Sequence, residues 1–118
     1  MKPEVKKLWL EALRSGNYSQ ARGMLHESPS GGYCCSGVLR DVYRKETGKG
    51  RWASLSWCES FDACDGDHAF TSLLPRSVVN WAGLEKSNPD VAMSQLSDYN
   101  DTKEYNFNQI ADLIDRYL

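Results

Sequence analysis

The residues of this chain best equipped for chemistry are its four cysteines, Cys34, Cys35, Cys58 and Cys64, and its two histidines, His26 and His68. A thiolate can ligate a metal or attack an electrophile, and each role demands a spacing. A tetrahedral zinc site commonly draws two ligands from a Cys-x-x-Cys hook. Neither pair has it: Cys34 and Cys35 are adjacent, so on a helix their side chains diverge by about 100°, and five residues separate Cys58 from Cys64. His68 is near enough in sequence to join Cys58 and Cys64, but without a zinc-motif spacing. The expectation is buried, inert thiols, with no metal ligand and no cofactor. Nucleophilic catalysis needs a thiolate and a base. Cys35, at the start of a helix, is placed for its pKa to be lowered by oriented N–H groups. Nothing in the context of His26 or His68 selects either as its base, so no catalytic residue is assigned and a Cys-dependent enzyme is the least favoured reading.

Other motifs fail on equally concrete grounds. The run Asp62-Ala63-Cys64-Asp65-Gly66-Asp67 superficially suggests a calcium loop, but its glycine is one position early, Cys64 replaces an oxygen ligand, and no glutamate closes it. No glycine-rich loop ends in Lys-Ser or Lys-Thr, so nucleotide hydrolysis has no motif support. A binding chemistry is better represented. Arg14, Tyr18, Gln20 and Arg22 set two cations, an aromatic ring and an amide just after the first helix, a combination able to hold a phosphate and stack a base. The competing reading is a solvated helix end followed by an amphipathic strand. Of the tryptophans Trp9, Trp52, Trp57 and Trp81, most belong in the core, and Trp81 is grouped with the ligand-binding set.

Positioning these residues is the task of a chain of 118 residues, long enough for one domain spanning 1–118 with a core that needs no staples. No apolar run approaches the roughly 20 residues that span a bilayer, and the first residues lack the apolar middle of a signal peptide. A cytoplasmic protein with reduced thiols is expected. The net charge of −2 conceals a polarity: residues 1–51 carry ten lysines and arginines against five acids, residues 52–118 four against eleven. Interleaved in space, the halves cancel; segregated, they would steer partners or favour self-association.

Helical spacing is clear in three places. Val5, Leu8, Trp9, Ala12 and Leu13 form one stripe between Pro3 and Gly16. Cys35, Val38, Leu39, Val42 and Tyr43 form a second over 34–44, with Arg40, Arg44 and Lys45 facing elsewhere. Phe107, Ile110, Ala111, Ile114 and Tyr117 form a third, behind a capping box of Asn106 and Gln109. A shorter helix opens at Leu74-Pro75, carries Val78, Val79 and Ala82, and stops at Gly83-Leu84. Residues 18–25 read as extended, with a hairpin or strand returning toward Tyr33, and 51–57 read as a strand. The acidic stretch Glu59 to His68 reads as an exposed loop, Asn88-Pro89 as the start of a turn or extended piece through Met93, and Asn100-Asp101 as a polar connection. The sum is an α+β domain, with three or four helices packed on a small irregular antiparallel sheet.

Several segments together resemble a family. Trp9-x-x-Ala12-Leu13-Arg14-Ser15-Gly16-x-Tyr18-x-Gln20, then Tyr33-Cys34-Cys35-x-Gly37-Val38-Leu39, then Leu74-Pro75 with Trp81-Ala82-Gly83-Leu84, Asn88-Pro89-x-Val91 and Phe107 with Ile110-Ala111-Asp112 are similar to small proteins of tailed bacteriophages and prophages. The resemblance covers nearly the whole chain. Its members often carry a Leu after the paired cysteines and a further Cys where Arg40 stands; Ser36 and Arg40 depart from that. It implies a phage origin and no particular reaction. Phage accessory proteins of this size commonly bind, so the resemblance implies a non-enzymatic protein of the bacterial host cytoplasm that sequesters a nucleotide-derived defence signal through Arg14, Tyr18, Gln20, Arg22 and Trp81. The alternative is a protein-interaction inhibitor of a host defence factor. A homo-oligomer is expected, without membrane or nucleic acid as partner.

Overall fold

A computed structural model describes residues 1–22, 26–27, 32–49, 51–54, 58–63, 67–68 and 74–118. The first helix, α1 (Pro3–Arg14), starts on a proline whose missing N–H costs nothing in the first turn, and it buries Val5, Trp9 and Leu13. Gly16, at φ +79°, turns the chain away. Next comes β1 (His26–Glu27), followed by α2 (Cys35–Thr47). Helix α2 begins where the Cys34 sulfur accepts a hydrogen bond from the Gly37 N–H at 3.4 Å, and it ends on left-handed Gly48.

The strands β2 (Arg51–Ser54), β3 (Cys58–Ala63) and β4 (Asp67–His68) form an antiparallel sheet with β1, centred on β3. The register pairs Trp52 with Phe61, Glu27 with Cys58, and Asp62 with His68. Residues 59–63 and 67–68 are therefore strand and not the loop that the acidic residues of this stretch suggest. Strand propensity is a weak preference, and pairing of β3 on both edges overrides it. The same register separates Cys58 from the residue opposite His68 by four positions, about 13 Å along the strand. Cys64 and residues 55–57 and 23–25, where strand expectations ended, lie outside the described residues. Residues 18–22 reach Tyr33 by a parallel bridge, not a hairpin: Ala21 N–H donates to the Tyr33 carbonyl at 2.8 Å and Tyr33 N–H to the Ser19 carbonyl at 2.7 Å.

After the sheet come α3 (Arg76–Ala82), the small hairpin β5 (Asp90–Val91) and β6 (Ser94–Gln95), α4 (Leu96–Asp101) and α5 (Phe107–Tyr117). The Asn106–Gln109 capping box forms in both directions at 2.9 Å. The α+β class is as expected, and among the described residues there are five helices. The additional one, α4, occupies the supposed polar connection at Asn100. The core joins α1, α2, α3 and α5 through Trp9, Val38, Leu39, Val78, Ile110 and Ile114, all wholly buried, and α4 and β5 close it with Leu96 and Val91. A Cα radius of gyration of 12.8 Å matches the roughly 13 Å of one folded body this long.

The opposite charges of the two halves meet between α1 and α5. Arg14 Nη2 lies 2.7 Å from Asp112 Oδ1, and Lys6 Nζ donates to the Asp115 carbonyl at 2.8 Å. Each exposed pair is worth at most about 1 kcal/mol, but together they orient two helices whose apolar faces already fit.

The chain start also docks here. Lys2 N–H donates to the Ala82 carbonyl at 2.8 Å, over left-handed Gly83, whose N–H and the following Leu84 N–H close the end of α3. A Cβ at Gly83 would lie 3.0 Å from Lys2 Cγ and 3.1 Å from Lys2 N, whereas one at Gly48 meets nothing within 4 Å. Both glycines have φ +71°. Gly48→Ala should therefore cost about 1 kcal/mol of unfolding free energy from backbone strain alone. Gly83→Ala should cost about 3 kcal/mol, because the N-terminal segment must also move. Urea unfolding of the two variants measures the difference.

Candidate functional site

The polar groups with the most constrained geometry lie in a seam between residues 18–22, the start of α2 and α4. Its centre is Asn100, wholly buried. The side-chain oxygen accepts from Gln20 Nε2 at 2.8 Å and from the Cys35 N–H at 3.3 Å. The side-chain nitrogen donates to the Ala21 carbonyl at 2.8 Å and to Asp101 Oδ1 at 2.7 Å. The Asn100 carbonyl accepts from Arg22 Nη1, and Gln20 Nε2 also donates to the Tyr105 carbonyl at 2.8 Å. One amide thus ties a loop, a helix start and its own helix together with all its bonding capacity in use.

Beside this seam, Asp41 has only 3% of its side chain exposed and is engaged by Tyr18, Arg44 and Lys45. Tyr18 Oη donates to Asp41 Oδ2 at 2.7 Å, Arg44 Nε and Nη2 donate to Oδ1 at 2.9 and 2.8 Å, and Lys45 Nζ lies 3.3 Å from Oδ2. Lys45 Nζ also donates to Tyr18 Oη at 3.0 Å. Burial raises the Tyr18 pKa above its ordinary value; the Lys45 bond opposes this and Asp41 adds to it. The phenol is therefore a proton donor at neutral pH and no general base. Bonding to Asp41 raises the pKa of Arg44, and bonding to Tyr18 raises that of Lys45, so both remain charged.

The expected ligand-binding residues are thus distributed. Tyr18, Gln20 and Arg22 come together, but their polar atoms engage Asp41, Asn100 and Tyr105. Arg14 sits at the end of α1 against Asp112. Trp81 stands apart on α3, half-buried, with its ring edge-on to Tyr43 at 5.3 Å. Sequence reasoning missed Asn100 and Asp41, the acceptors that organise the set. The available signal was the spacing Leu96, Tyr99, Asn100, which is that of one helical face. Arg40, expected to face away from the stripe, is wholly buried, because α2 is covered on every side from Cys35 to Tyr43.

The cysteines take structural positions. Both thiols at the start of α2 are free and buried. Burial pushes Cys34 up to about 11, against partial relief from the Gly37 N–H, and drives Cys35 well above the ordinary value. The helix start does not activate Cys35, because loss of water outweighs the oriented N–H groups. Its carbonyl instead accepts from Trp9 Nε1 at 3.0 Å, fixing α1 to α2. Among the described residues no three His, Cys, Asp or Glu side chains are grouped to hold a metal ion, and no helix is long and apolar enough to cross a membrane.

Two outcomes follow. Asn100→Asp sets a carboxylate oxygen against the Ala21 carbonyl and Asp101, and should lower the unfolding free energy by about 3 kcal/mol or more in urea titration. The Cys34 thiol ionises at about 11 when folded, against an ordinary 9.0, so the unfolded chain releases its proton first as pH rises. Its contribution is full below about pH 9 and is lost on the way to about pH 11. Cys34→Ser keeps a cap acceptor without that titration, and its urea midpoint should fall less over the same window.

Comparison with curated proteins and with solved structures gives no match. The model of a domain of unknown function, DUF8296, matches residues 1–118, so a chain built around this buried Asn100 seam belongs to the DUF8296 family.

Proposed function

We propose that the protein is a non-enzymatic binding protein, of the accessory kind encoded by tailed bacteriophages and prophages, that inhibits a protein of the bacterial host by contact. The observation that carries this reading is an open groove of about 480 Å³ along α1, lined by Pro3, Lys6, Lys7, Leu10, Glu11, Arg14 and Asp115. Apolar stems floor it; at its rim Lys6 lies against Asp115, Arg14 pairs with Asp112 and Glu11 stands beside exposed Lys7, a mixed-charge surface suited to an amphipathic protein segment. A nucleotide seeking Tyr18, Gln20 and Arg22 would have to break their internal hydrogen bonds first, which favours the protein partner. The raised thiol pKa values favour a binder over a cysteine nucleophile.

The second reading, sequestration of a nucleotide-derived defence signal, draws support from a groove of about 280 Å³ where partly exposed Tyr18 stands beside Lys45 and Val42. Glu46 on this rim, beside the Glu11 that both grooves share, disfavours phosphate. To separate the two, a stoichiometric host partner is identified in lysate and the complex is rebuilt from purified components. Lys7→Glu, at an exposed position, should weaken it about tenfold, chiefly through association rate, and leave thermal stability unchanged. If no host protein binds, and nucleotide signals raise the thermal midpoint of the wild type but not of Lys45→Ala, the assignment passes to the second reading.

A further inference from the structure

Helix α1 turns Val5, Trp9 and Leu13 into the core, and its opposite face carries Glu4, Lys7, Glu11 and Arg14, all exposed. Spacings of three, four and three residues place these four side chains in one stripe along the helix. Their signs alternate, acid, base, acid, base. Among the described residues the side chains of Glu4, Lys7 and Glu11 join no ion pair or hydrogen bond. Lys7 and Glu11 stand one turn apart, but with the base nearer the N-terminus, the less favourable order for pairing within a helix. Arg14 is engaged with Asp112 through Nη2 alone, and a guanidinium has five N–H donors, so it can serve a second carboxylate.

The stripe is antisymmetric about its midpoint, which lies level with Trp9. Read from the other end it has the same spacing with every sign exchanged. A second α1 running antiparallel therefore sets its Arg14 beside Glu4 and its Glu11 beside Lys7, and a two-fold axis at the midpoint repeats both contacts. All four layers join opposite charges. A parallel pair would set each charge against itself, so the sequence of signs selects the direction and the register together. The shape also fits, because open grooves flank the stripe on both sides and leave it as a ridge. Half-buried Leu10 lies on the α5 side and half-buried Leu8 on the α2 side. The same axis brings Leu8 against Leu8 and Leu10 against Leu10 of the two copies.

We infer that α1 of one copy pairs antiparallel with α1 of a second copy through the stripe Glu4, Lys7, Glu11 and Arg14, closing a two-fold dimer. The contact is one helix long, roughly 18 Å, so it falls at the small end of protein interfaces. The dimer is accordingly weak, with Kd on the order of 100 µM at low salt. It covers the α1 groove, so a host protein that takes the groove competes with the second copy. The inference does not depend on such a partner.

Sedimentation velocity of the purified protein at low salt, from about 5 to 1,000 µM, brackets that affinity. The wild type should pass from monomer to dimer, and molar salt should weaken the association about tenfold by screening the exposed charges. Lys7→Glu alone puts acid on acid at two layers, and Glu11→Lys alone puts base on base. Each variant should stay monomeric, with the thermal midpoint of dilute wild type. Mixed together, the two complement each other at every layer and should form a heterodimer about as tight as the wild-type dimer, a recovery that neither misfolding nor a general loss of stickiness would produce. A wild type that remains monomeric, a single variant that still dimerises, or a mixture that does not associate overturns the proposal. No host protein takes part in the measurement, so its outcome is independent of the proposed host complex.

Discussion

Helix α2 is covered on every side from Cys35 to Tyr43, so each polar group on it must find its partner inside the protein. An unsatisfied buried group costs on the order of 1–3 kcal/mol, and this constraint dictates much of the surrounding architecture. The Cys35 N–H is met by Asn100, the Cys35 carbonyl by the Trp9 indole, and the Asp41 carboxylate by Tyr18, Arg44 and Lys45. Each partner comes from a different part of the chain: α1, the segment after it, α4, or the exposed end of α2 itself. Covering the first turns of α2 and pairing the Cys35 backbone and the Asp41 carboxylate are therefore linked, and the segment 18–22 is held in place by some of the same bonds.

That arrangement changes the meaning of two sequence features. The polar cluster following α1 has the composition of a ligand grip, yet its members complete the internal bonding of α2 and α4. The paired cysteines have the position of an activated nucleophile, yet they serve as a helix cap and a buried packing group. In both cases burial decides, because desolvation raises thiol pKa values and converts polar side chains into obligatory internal donors. The charge polarity between the two halves resolves similarly. Asp112 and Asp115 of α5 lie against Arg14 and Lys6 of α1, so part of the opposite charge is consumed in aligning two helices.

Among the described residues, open grooves lie along α1 and beside Tyr18 and Lys45, and the proposed reading rests on the first of them. The DUF8296 family model matches residues 1–118, so it covers the seam and the surface grooves alike.

Local chemistry by itself determined α1, α2, α3 and α5, though not α4. Pro3, the Asn106–Gln109 box, Gly16, Gly48 and Gly83 mark boundaries through backbone conformation and capping, which act within a few residues. The apolar stripes of α1 and α5 likewise marked the faces that turn inward, except that Tyr117 at the end of α5 is exposed. Tertiary structure alone decided the rest. The strands β3 and β4 arise from pairing between distant segments, and no local preference in Glu59 to His68 announces them. Arg40 faces inward because other elements cover the side of α2 that periodicity leaves polar. Asn100 is a hub because Gln20, Arg22 and Cys35, from about 65 to 80 residues earlier, converge on it. Hydrogen-bond partners at such separations leave no periodic trace in a sequence, because only the folded chain brings them within 3 Å or so of each other.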